Sequence, residues 1–145
     1  MKIRIIENPS IQEIEIHILC KENNEYIKKL TEYFTEKQIT ITGKIENEYV
    51  KIFLSDIYYF ECVDNRTYIY CEKDVYQSNM KLYKLEEKLS GTKFTRINKS
   101  CIMNIKKLEK VKSQINGRLL ATLYNGEKLI INRSYVADVK RKLEV

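Results

Sequence analysis

The residues best suited to chemistry lie in one stretch, from Phe94 to Asn104. Two cations, an amide and a hydroxyl stand together at its centre: Arg96, Asn98, Lys99 and Ser100. Apolar residues flank this centre on both sides, so we expect a surface turn whose two ends are anchored in a core. Lys and Arg bind phosphates or guanine edges, and Asn can pair with adenine. The stretch therefore favours contact with a nucleic acid.

Basic charge is concentrated around this stretch. The chain has a formal net charge of +6, but residues 92–118 carry eight cations and one anion, and the remaining residues carry a slight excess of anions. A basic excess confined to one segment is typical of a nucleic-acid footprint. A lysine-rich strand that is simply solvated would have the same composition, so charge alone leaves both interpretations open.

Length and composition indicate a cytoplasmic protein. The 145 residues suffice for one domain with a real core, and 43% of them are hydrophobic. The apolar runs are too short to span a bilayer, and the chain reaches Glu7 before a signal sequence could form. We therefore predict no contact with a membrane.

The sequence gives little support for catalysis, metal binding or a cofactor. The four cysteines are widely spaced, and His17 is the only imidazole, so close metal-ligating or redox pairs are missing. We interpret the cysteines as small hydrophobic residues in a reducing compartment, with a Cys62–Cys71 bridge left open. No phosphate-binding loop or nucleophile–base motif occurs. We predict that the protein is not an enzyme and uses no cofactor or metal.

Residues 1–43 are predicted to form a small strand-helix-strand unit. Ile14, Ile16 and Ile18 alternate with polar residues, which is typical of a half-buried strand. Asn23 or Asn24 can cap a helix with apolar residues at spacings of three and four, and a second strand precedes Gly43. This unit is too short for a phospho-accepting receiver domain. Its neutral charge motivates the hypothesis that it mediates dimerisation.

Residues 44–145 are predicted to be rich in strands. The strands are expected at Tyr49–Phe53, Ile57–Cys62, Thr67–Cys71, Val75–Gln77, Lys110–Ile115, Arg118–Tyr124 and Lys128–Ile131. Asn116-Gly117 and Asn125-Gly126 predict two type I′ turns, because both residues tolerate positive φ. A helix from Met80 to Leu89 is expected to be capped by Ser78 or Asn79, with Gly91 at its end, and a closing helix by Asn132.

From about Glu46 to Leu143 the sequence resembles the LytTR family of bacterial DNA-binding domains. The segment Ile57–Glu61 resembles the family's opening motif, and Phe94–Ser100 its Phe-x-Arg-x-His-Arg-Ser block. Asn132–Tyr135 resembles its Ser-Arg-x-Tyr near the end. The resemblance implies an α+β fold that is mostly β, with elongated small β-sheets and short helices. The N-terminal strand-helix-strand unit would precede this fold.

The resemblance also implies how the protein works. In the family, loops rather than a recognition helix enter the grooves of duplex DNA, typically at paired repeats. Carried over by position, the base-reading or groove-entering residues would be Arg66, Asn98, Lys99 and Arg133, and the candidate phosphate contacts Lys106, Lys107 and Arg96. Asn98 replaces the usual His. Lys99 replaces the usual Arg, which exchanges the planar fork of a guanidinium for the point charge of an ammonium group. Arg96 could alternatively pair with Glu61 or Asp64 and support the turn.

We therefore expect a stand-alone, sequence-specific transcriptional regulator that binds duplex DNA, as a homodimer at least when bound. Two other functions remain open at this stage. The changed Asn98-Lys99 pair would fit a protein-interaction module that has kept the fold and lost DNA binding. Tyr68 and Tyr70, on one face of a predicted strand, could stack the bases of single-stranded RNA.

Overall fold

The computed structural model describes all residues of the chain except the side chain of Lys37. Three helices occur: α1 (Glu25–Gln38), α2 (Leu82–Lys88) and α3 (Val136–Lys142). The strands are β1 (Thr40–Ile45), β2 (Glu48–Phe53), β3 (Ile57–Val63), β4 (Arg66–Cys71), β5 (Val75–Ser78), β6 (Phe94–Asn98), β7 (Cys101–Asn104), β8 (Leu108–Ser113), β9 (Leu119–Leu123) and β10 (Lys128–Ile131). The fold is mostly β with short helices, as predicted.

All strands pair antiparallel and form two sheets. The larger sheet has the order β2-β1-β5-β4-β3-β7-β6, and the smaller one is the meander β10-β9-β8 that the sequence predicted. Strands β3 and β7 lie inside the larger sheet, where both faces are covered. This explains why both strands are nearly continuous apolar runs rather than alternating ones.

Each face of the larger sheet has its own hydrophobic core. Tyr59 and Met103 point to one side, where they pack with the smaller sheet and α3. Their neighbours in sequence, Phe60 and Ile102, point to the other side and pack with α2. Successive side chains on a strand alternate between faces, so β3 and β7 supply both cores and fix the relative positions of the two sheets.

The hairpin turns depend on residues that accept positive φ. Asn116 (φ 69°) and Gly117 (φ 74°) both adopt it, but Ser113 pairs with Leu119 and the N–H of Gln114 donates to the carbonyl of Arg118 at 2.9 Å, so β8 and β9 are joined by the three-residue loop Ile115–Gly117 rather than by the predicted two-residue type I′ turn. The turns Glu46-Asn47 and Asp64-Asn65 also have positive φ at both positions, without any glycine. Asn and Asp tolerate this conformation better than other side chains do, which suits the tight turn between β3 and β4.

The predicted type I′ turn at Asn125-Gly126 is wrong. Only Gly126 has a positive φ there, and its N–H donates to the carbonyl of Leu123 at 2.9 Å. The connection is therefore a three-residue loop, Tyr124-Asn125-Gly126, in which the glycine provides the left-handed residue. Both Asn-Gly connections are thus three-residue loops, closed by Gln114–Arg118 and Leu123–Glu127 backbone bonds, and they differ in that Asn116 has a positive φ whereas Asn125 does not.

The predicted strand at Ile14–Ile18 does not form in the described chain, where residues 1–23 contain no helix or strand. The predicted helix does form as α1, and the side chain of Asn24 caps it by accepting from the N–H of Ile27 at 3.2 Å. The second predicted strand is β1, which continues through Gly43, so the predicted boundary after residue 43 falls inside a strand. Helix α1 contacts the rest of the chain through a 3.2 Å ion pair between Lys29 and Glu144.

Two predicted helix caps need correction, and the disulfide that the sequence left open is not formed. Helix α2 starts at Leu82, after Lys81, while the Ser78 hydroxyl accepts from the N–H of Met80 at 3.1 Å in the preceding turn. Asn132 precedes a 3₁₀ turn rather than α3 itself, and its side chain does not cap that turn. A Cys62–Cys71 bridge is not formed: Cys62 lies opposite Thr67, and Cys71 opposite Ile57, at the two ends of the hairpin. None of the described helices is long and apolar enough to span a membrane.

Gly43 provides a test of this packing. A Cβ at this position would lie 2.7 Å from the Cβ of Tyr76 and 2.8 Å from Cδ1 of Ile52, closer than real side chains approach. We expect Gly43→Ala to lower the free energy of unfolding by about 1–3 kcal/mol, because a packed sheet must shift. Urea unfolding measures this change. The neighbouring exposed substitution Thr42→Ala is the control, and equal effects of the two would contradict the close approach at Gly43.

Candidate nucleic-acid interface

The turn between β6 and β7 is built around the Asn98 amide. Its Nδ2 donates to the carbonyl of Ile130 on β10 at 3.1 Å, and its Oδ1 accepts from the N–H and the hydroxyl of Ser100 at 2.9 and 3.0 Å. Both ends of the amide are therefore occupied within the chain. Asn98 shapes the turn and ties it to the smaller sheet, and in this conformation its amide is already engaged.

The Arg96 side chain supports the same turn through three polar contacts. Its Nε donates to the carbonyl of Asn98 at 2.9 Å, a terminal nitrogen donates to the carbonyl of Lys99, and the other lies 2.8 Å from a carboxylate oxygen of Glu86 on α2. The Arg96 side chain is only 20% exposed. The sequence allowed pairing with Glu61 or Asp64, but the acidic partner is Glu86. The guanidinium has five N–H donors in a fixed planar arrangement, which suits a residue that binds two carbonyls and a carboxylate at once.

These bonds leave Lys99 at the tip of the turn. Its side chain is exposed, and no described hydrogen bond or ion pair involves its ammonium group. The carbonyl of the next residue, Ser100, accepts from the N–H of Cys62 at 2.8 Å, so the turn is also bonded to β3. A cation on a turn that is bonded on two sides keeps its position when a ligand approaches.

Arg66 lies at the same end of the larger sheet as Lys99. The hairpin β3–β4 turns at Asp64-Asn65, immediately beside the β6–β7 turn, because Glu61 pairs with Cys101 across β3 and β7. Arg66 is the exposed first residue of β4. The ammonium of Lys81 approaches the carbonyl and side-chain oxygens of Asn65 at 3.3 and 3.4 Å, which brings another cation to this turn.

Arg133 reaches this end of the molecule from the smaller sheet. The N–H of Asn132 donates to the carbonyl of Ile97 at 2.9 Å, so the segment after β10 is bonded to the end of β6. The aliphatic part of Arg133 covers Gly117, where an added Cβ would lie 3.0 Å from its Cδ. The structure therefore brings Arg66, Lys99 and Arg133 to one end of the fold, on three separate loops, and we call this end the loop end.

Lys106 and Lys107 lie away from the loop end. They follow β7, whose four residues separate them from Lys99 by roughly 10 Å or more along the strand direction. Lys106 pairs with Glu36 of α1, and the ammonium of Lys107 lies 4.9 Å above the ring centre of Tyr58. Each of these cations already has a partner on the chain, and their role as phosphate contacts stays a prediction.

The tyrosines that could have stacked RNA bases have different surroundings. Tyr70 stacks on Tyr59 with ring centres 4.3 Å apart and nearly parallel planes, and it packs against the core beneath the smaller sheet. Tyr68 is half-buried on the same strand. The face of Tyr70 that an RNA base would need is therefore covered in part by another ring.

Glu61 is a partly buried carboxylate on β3, near the loop end. Partial burial raises its pKa above the usual range, and repulsion from Glu127 raises it further. Burial and the nearby Glu61 carboxylate also raise the pKa of the Cys101 thiol far above its usual value, so this cysteine stays a neutral, buried group.

Sequence reasoning missed Glu86, Lys81 and Gly117, which shape or support the loops. Glu86 lies ten residues before Arg96, on a helix whose charged residues gave no reason to choose it over its neighbours. Gly117 was recognised only as a turn residue, although it also makes room for the Arg133 stem. No local pattern predicts such contacts, because they depend on how the two sheets meet.

The family model of the LytTr DNA-binding domain matches residues 47–144, about two thirds of the chain. The protein belongs to the LytTR family. Among curated proteins, the sensory transduction protein LytT of Enterococcus faecalis is 33% identical over 88 residues, which are 61% of this chain and 36% of LytT. The chain thus spans about a third of the length of that relative.

Another similar protein is an HTH-type transcriptional regulator of Staphylococcus aureus strain RF122, which is 25% identical over all of this chain and 99% of its own length. Among solved structures, a LytTr DNA-binding domain from a Bacillus cereus protein described as a methyl-accepting/DNA response regulator superposes with a TM-score of 0.69. It is 23% identical, and the match covers 73% of this chain and 97% of that domain. This likeness supports the LytTR fold.

The helix-turn-helix in the staphylococcal name has no counterpart among the described elements of this LytTR chain. A helix-turn-helix needs two consecutive helices joined by a short turn. Here two strands or more separate each helix from the next, and α2 and α3 have seven residues each. The loops and the strand ends remain as the surfaces that could enter a groove.

Asn98→Ala tests the amide network. The substitution leaves the Ile130 carbonyl and the Ser100 groups without their partner, so we expect it to lower the free energy of unfolding by about 1–3 kcal/mol. Chemical denaturation measures the loss. Asn125→Ala, in a hairpin turn with one side-chain bond to the N–H of Glu127, is the matched control and should cost less. An Asn98→Ala protein as stable as wild type would rule out the network's structural role.

Glu61→Gln tests whether the raised pKa of Glu61 affects the stability of the fold. Because the folded-state pKa of Glu61 is raised, its contribution to stability is present while the carboxyl is protonated and is lost as the pH rises through that pKa. We expect Glu61→Gln to be more stable than wild type at pH 7, with the difference shrinking towards zero below about pH 4. Urea unfolding at both pH values checks this. A difference independent of pH would show that titration of Glu61 is not the cause.

Proposed function

We propose that this LytTR protein is a sequence-specific transcriptional regulator that binds duplex DNA through the loops of its loop end. The family match supports DNA binding, and the names of its relatives support a role in transcription or signalling. The observation that carries the proposal is that exposed Arg66, Lys99 and Arg133 come together from three separate loops. Such a protein would act in the cytoplasm, where bacterial DNA lies.

Physical features of the loops support groove entry. The turn Asp64-Asn65, which Arg66 follows, and the turn Lys99-Ser100 have two residues each and are bonded to neighbouring residues, Lys81 and Cys62 respectively, so they are narrow and their shape is set before binding. The major groove is about 12 Å wide and admits such elements. Because these loops are already ordered, binding costs them little conformational entropy.

In this proposal the candidate residues have different tasks. Arg66 and Arg133 can form bidentate contacts with guanine, whereas Lys99 offers a point charge suited to a phosphate or to a single acceptor. Asn98 holds the turn in place rather than reading a base, because its amide is bonded to Ile130 and Ser100. Arg96, bound to two carbonyls and to Glu86, acts in the same way.

We also propose that the protein binds paired DNA repeats as a homodimer. One loop end covers only a short stretch of DNA, and two copies related by a two-fold axis would read two half-sites with the separation that the dimer imposes. The geometry that sets this separation must come from residues outside the loop end.

The proposal is tested by binding to random duplex DNA, followed by selection and sequencing of the bound fraction. We expect fluorescence anisotropy to show affinity that falls with salt, with a log-log slope of roughly −4.5 if about five phosphates are contacted. Lys99→Ala and Arg133→Ala should each weaken binding by about 1–3 kcal/mol, and Arg133→Ala should relax a defined position of the selected motif.

Lys51→Ala is the matched control, since Lys51 is exposed on the edge strand β2, across the sheet from β6. Lys106→Ala should have a smaller effect than Lys99→Ala, because Lys106 is paired with Glu36. If the protein bound no duplex even at low salt, the basic surface would instead serve a protein partner. Preference for single-stranded RNA, lost on Tyr68→Ala, would also refute duplex recognition.

A further inference from the structure

The first 18 residues carry a row of isoleucines that no described part of their own chain covers. Ile3, Ile5 and Ile14 are 83%, 86% and 91% exposed, and Ile16 is half exposed. Elsewhere most apolar residues of the strands are divided between two filled cores. Isolated exposed apolar residues are ordinary, but a regular row of them marks an interaction surface.

The spacing of this row matches a β-hairpin. A turn is present at residues 8–11, where the carbonyl of Asn8 accepts from the N–H of Ile11 at 3.1 Å and its side chain accepts from Ser10. Continuing the register outwards from this turn places Ile5 opposite Ile14 and Ile3 opposite Ile16. Directly opposed residues share one face of an antiparallel pair, so the four isoleucines would form one apolar face.

One pair of polar residues in this register is complementary in charge. Arg4 falls opposite Glu15, and Lys2 falls opposite His17, all on the face away from the isoleucines. In the described structure His17 already contacts Glu15 at 2.9 Å, which places these alternate residues on one side of the segment. The Arg4–Glu15 pair thus places opposite charges directly across the two strands, which stabilises the proposed register.

The hairpin is not formed in the single chain, for two physical reasons. A two-stranded hairpin alone is marginally stable in water. Pro9, in the turn, cannot adopt the positive φ of the tight turns that best match strand twist. Burial of the isoleucine face is therefore the contribution that would make this hairpin stable.

We propose that residues 2–18 form a β-hairpin whose isoleucine face packs on the same face of a second copy of this chain. Side-by-side pairing of identical strands would bring Lys2 and Arg4, or Glu13 and Glu15, next to their own copies, which like charges oppose. Pairing a basic edge with an acidic edge would leave the other two edges open and continue into a filament. Packing face to face about a two-fold axis closes after two copies.

Charge also argues for a second copy rather than for a membrane or nucleic acid. Residues 1–24 carry three cations and four anions. Anionic lipids and DNA attract segments with an excess of Lys and Arg, and this segment has none. The self-association inferred here provides the interface that the homodimer in the proposed function needs, and its connection to paired repeats rests on that function.

The experiment is sedimentation equilibrium on the full chain over a range of concentrations. We expect wild type to dimerise and Ile5→Thr/Ile14→Thr to weaken dimerisation at least tenfold, since threonine keeps the branched shape and adds a polar group. Ile6→Thr is the matched control, because Ile6 is 76% exposed but lies on the charged face of the register. It should change the dimerisation constant less than twofold.

A charge exchange tests the register itself. Arg4→Glu and Glu15→Arg should each weaken the dimer, and the double exchange should restore it to within a few fold. A monomer at all concentrations, equal effects of the Ile6 and Ile5/Ile14 substitutions, or no restoration would overturn the proposal. Binding of a monomeric protein to phosphatidylcholine–phosphatidylglycerol vesicles, lost in the double isoleucine variant, would assign the face to a membrane instead.

DNA binding separates this inference from the proposed function. The double isoleucine variant should bind a duplex with one half-site as wild type does and should lose cooperative binding to two half-sites. A protein that dimerised through the isoleucines and bound no DNA would support the interface and refute the proposed function. Cooperative binding that survived in the variant would place the dimer interface elsewhere and overturn the inference.

Discussion

The junction between the two sheets is the constraint on which the candidate interface depends. Asn98 donates to the carbonyl of Ile130, and the N–H of Asn132 donates to the carbonyl of Ile97, so β6 and the end of β10 are joined by two bonds at one point. This junction links the loops that carry Lys99 and Arg133, which belong to two different sheets. A shared core beneath the junction keeps the sheets together, and the two hydrogen bonds set their alignment.

Most of the fold could be predicted because strand and turn signals are local. Strands β1 to β5 and β8 to β10 followed from apolar runs separated by turn residues, and the positive φ of Asn116 and Gly117 followed from the preference of both residues for it. Strands β6 and β7, and the order of the strands within the larger sheet, were not predicted. The prediction of a strand at Ile14–Ile18 was wrong for a physical reason. Alternation shows which residues would share a face, but nothing in a single chain covers that face. A pattern can predict a strand whose partner is absent.

The candidate site was less predictable than the fold because its geometry comes from long-range contacts. A basic stretch in the sequence suggested one continuous surface, yet β7 separates Lys99 from Lys106, and Lys106 is paired with α1. Arg133, distant in sequence, joins Lys99 instead through the sheet junction. The choice of Glu86 as the partner of Arg96 similarly depends on how α2 packs on the larger sheet.

The Asn-Lys pair at positions 98 and 99 also gains a physical interpretation. An asparagine that donates to the carbonyl of Ile130 and accepts two bonds from Ser100 is held in a fixed orientation within the chain, so its main contribution to binding is the shape of the turn. Lysine at the tip has a compact, rotatable charge that tolerates small differences in phosphate position. A rigid turn with an adaptable cation therefore favours affinity over discrimination at this loop. In the proposed function, discrimination between sequences must then come mainly from Arg66 and Arg133, whose planar forks impose a fixed geometry on a base edge.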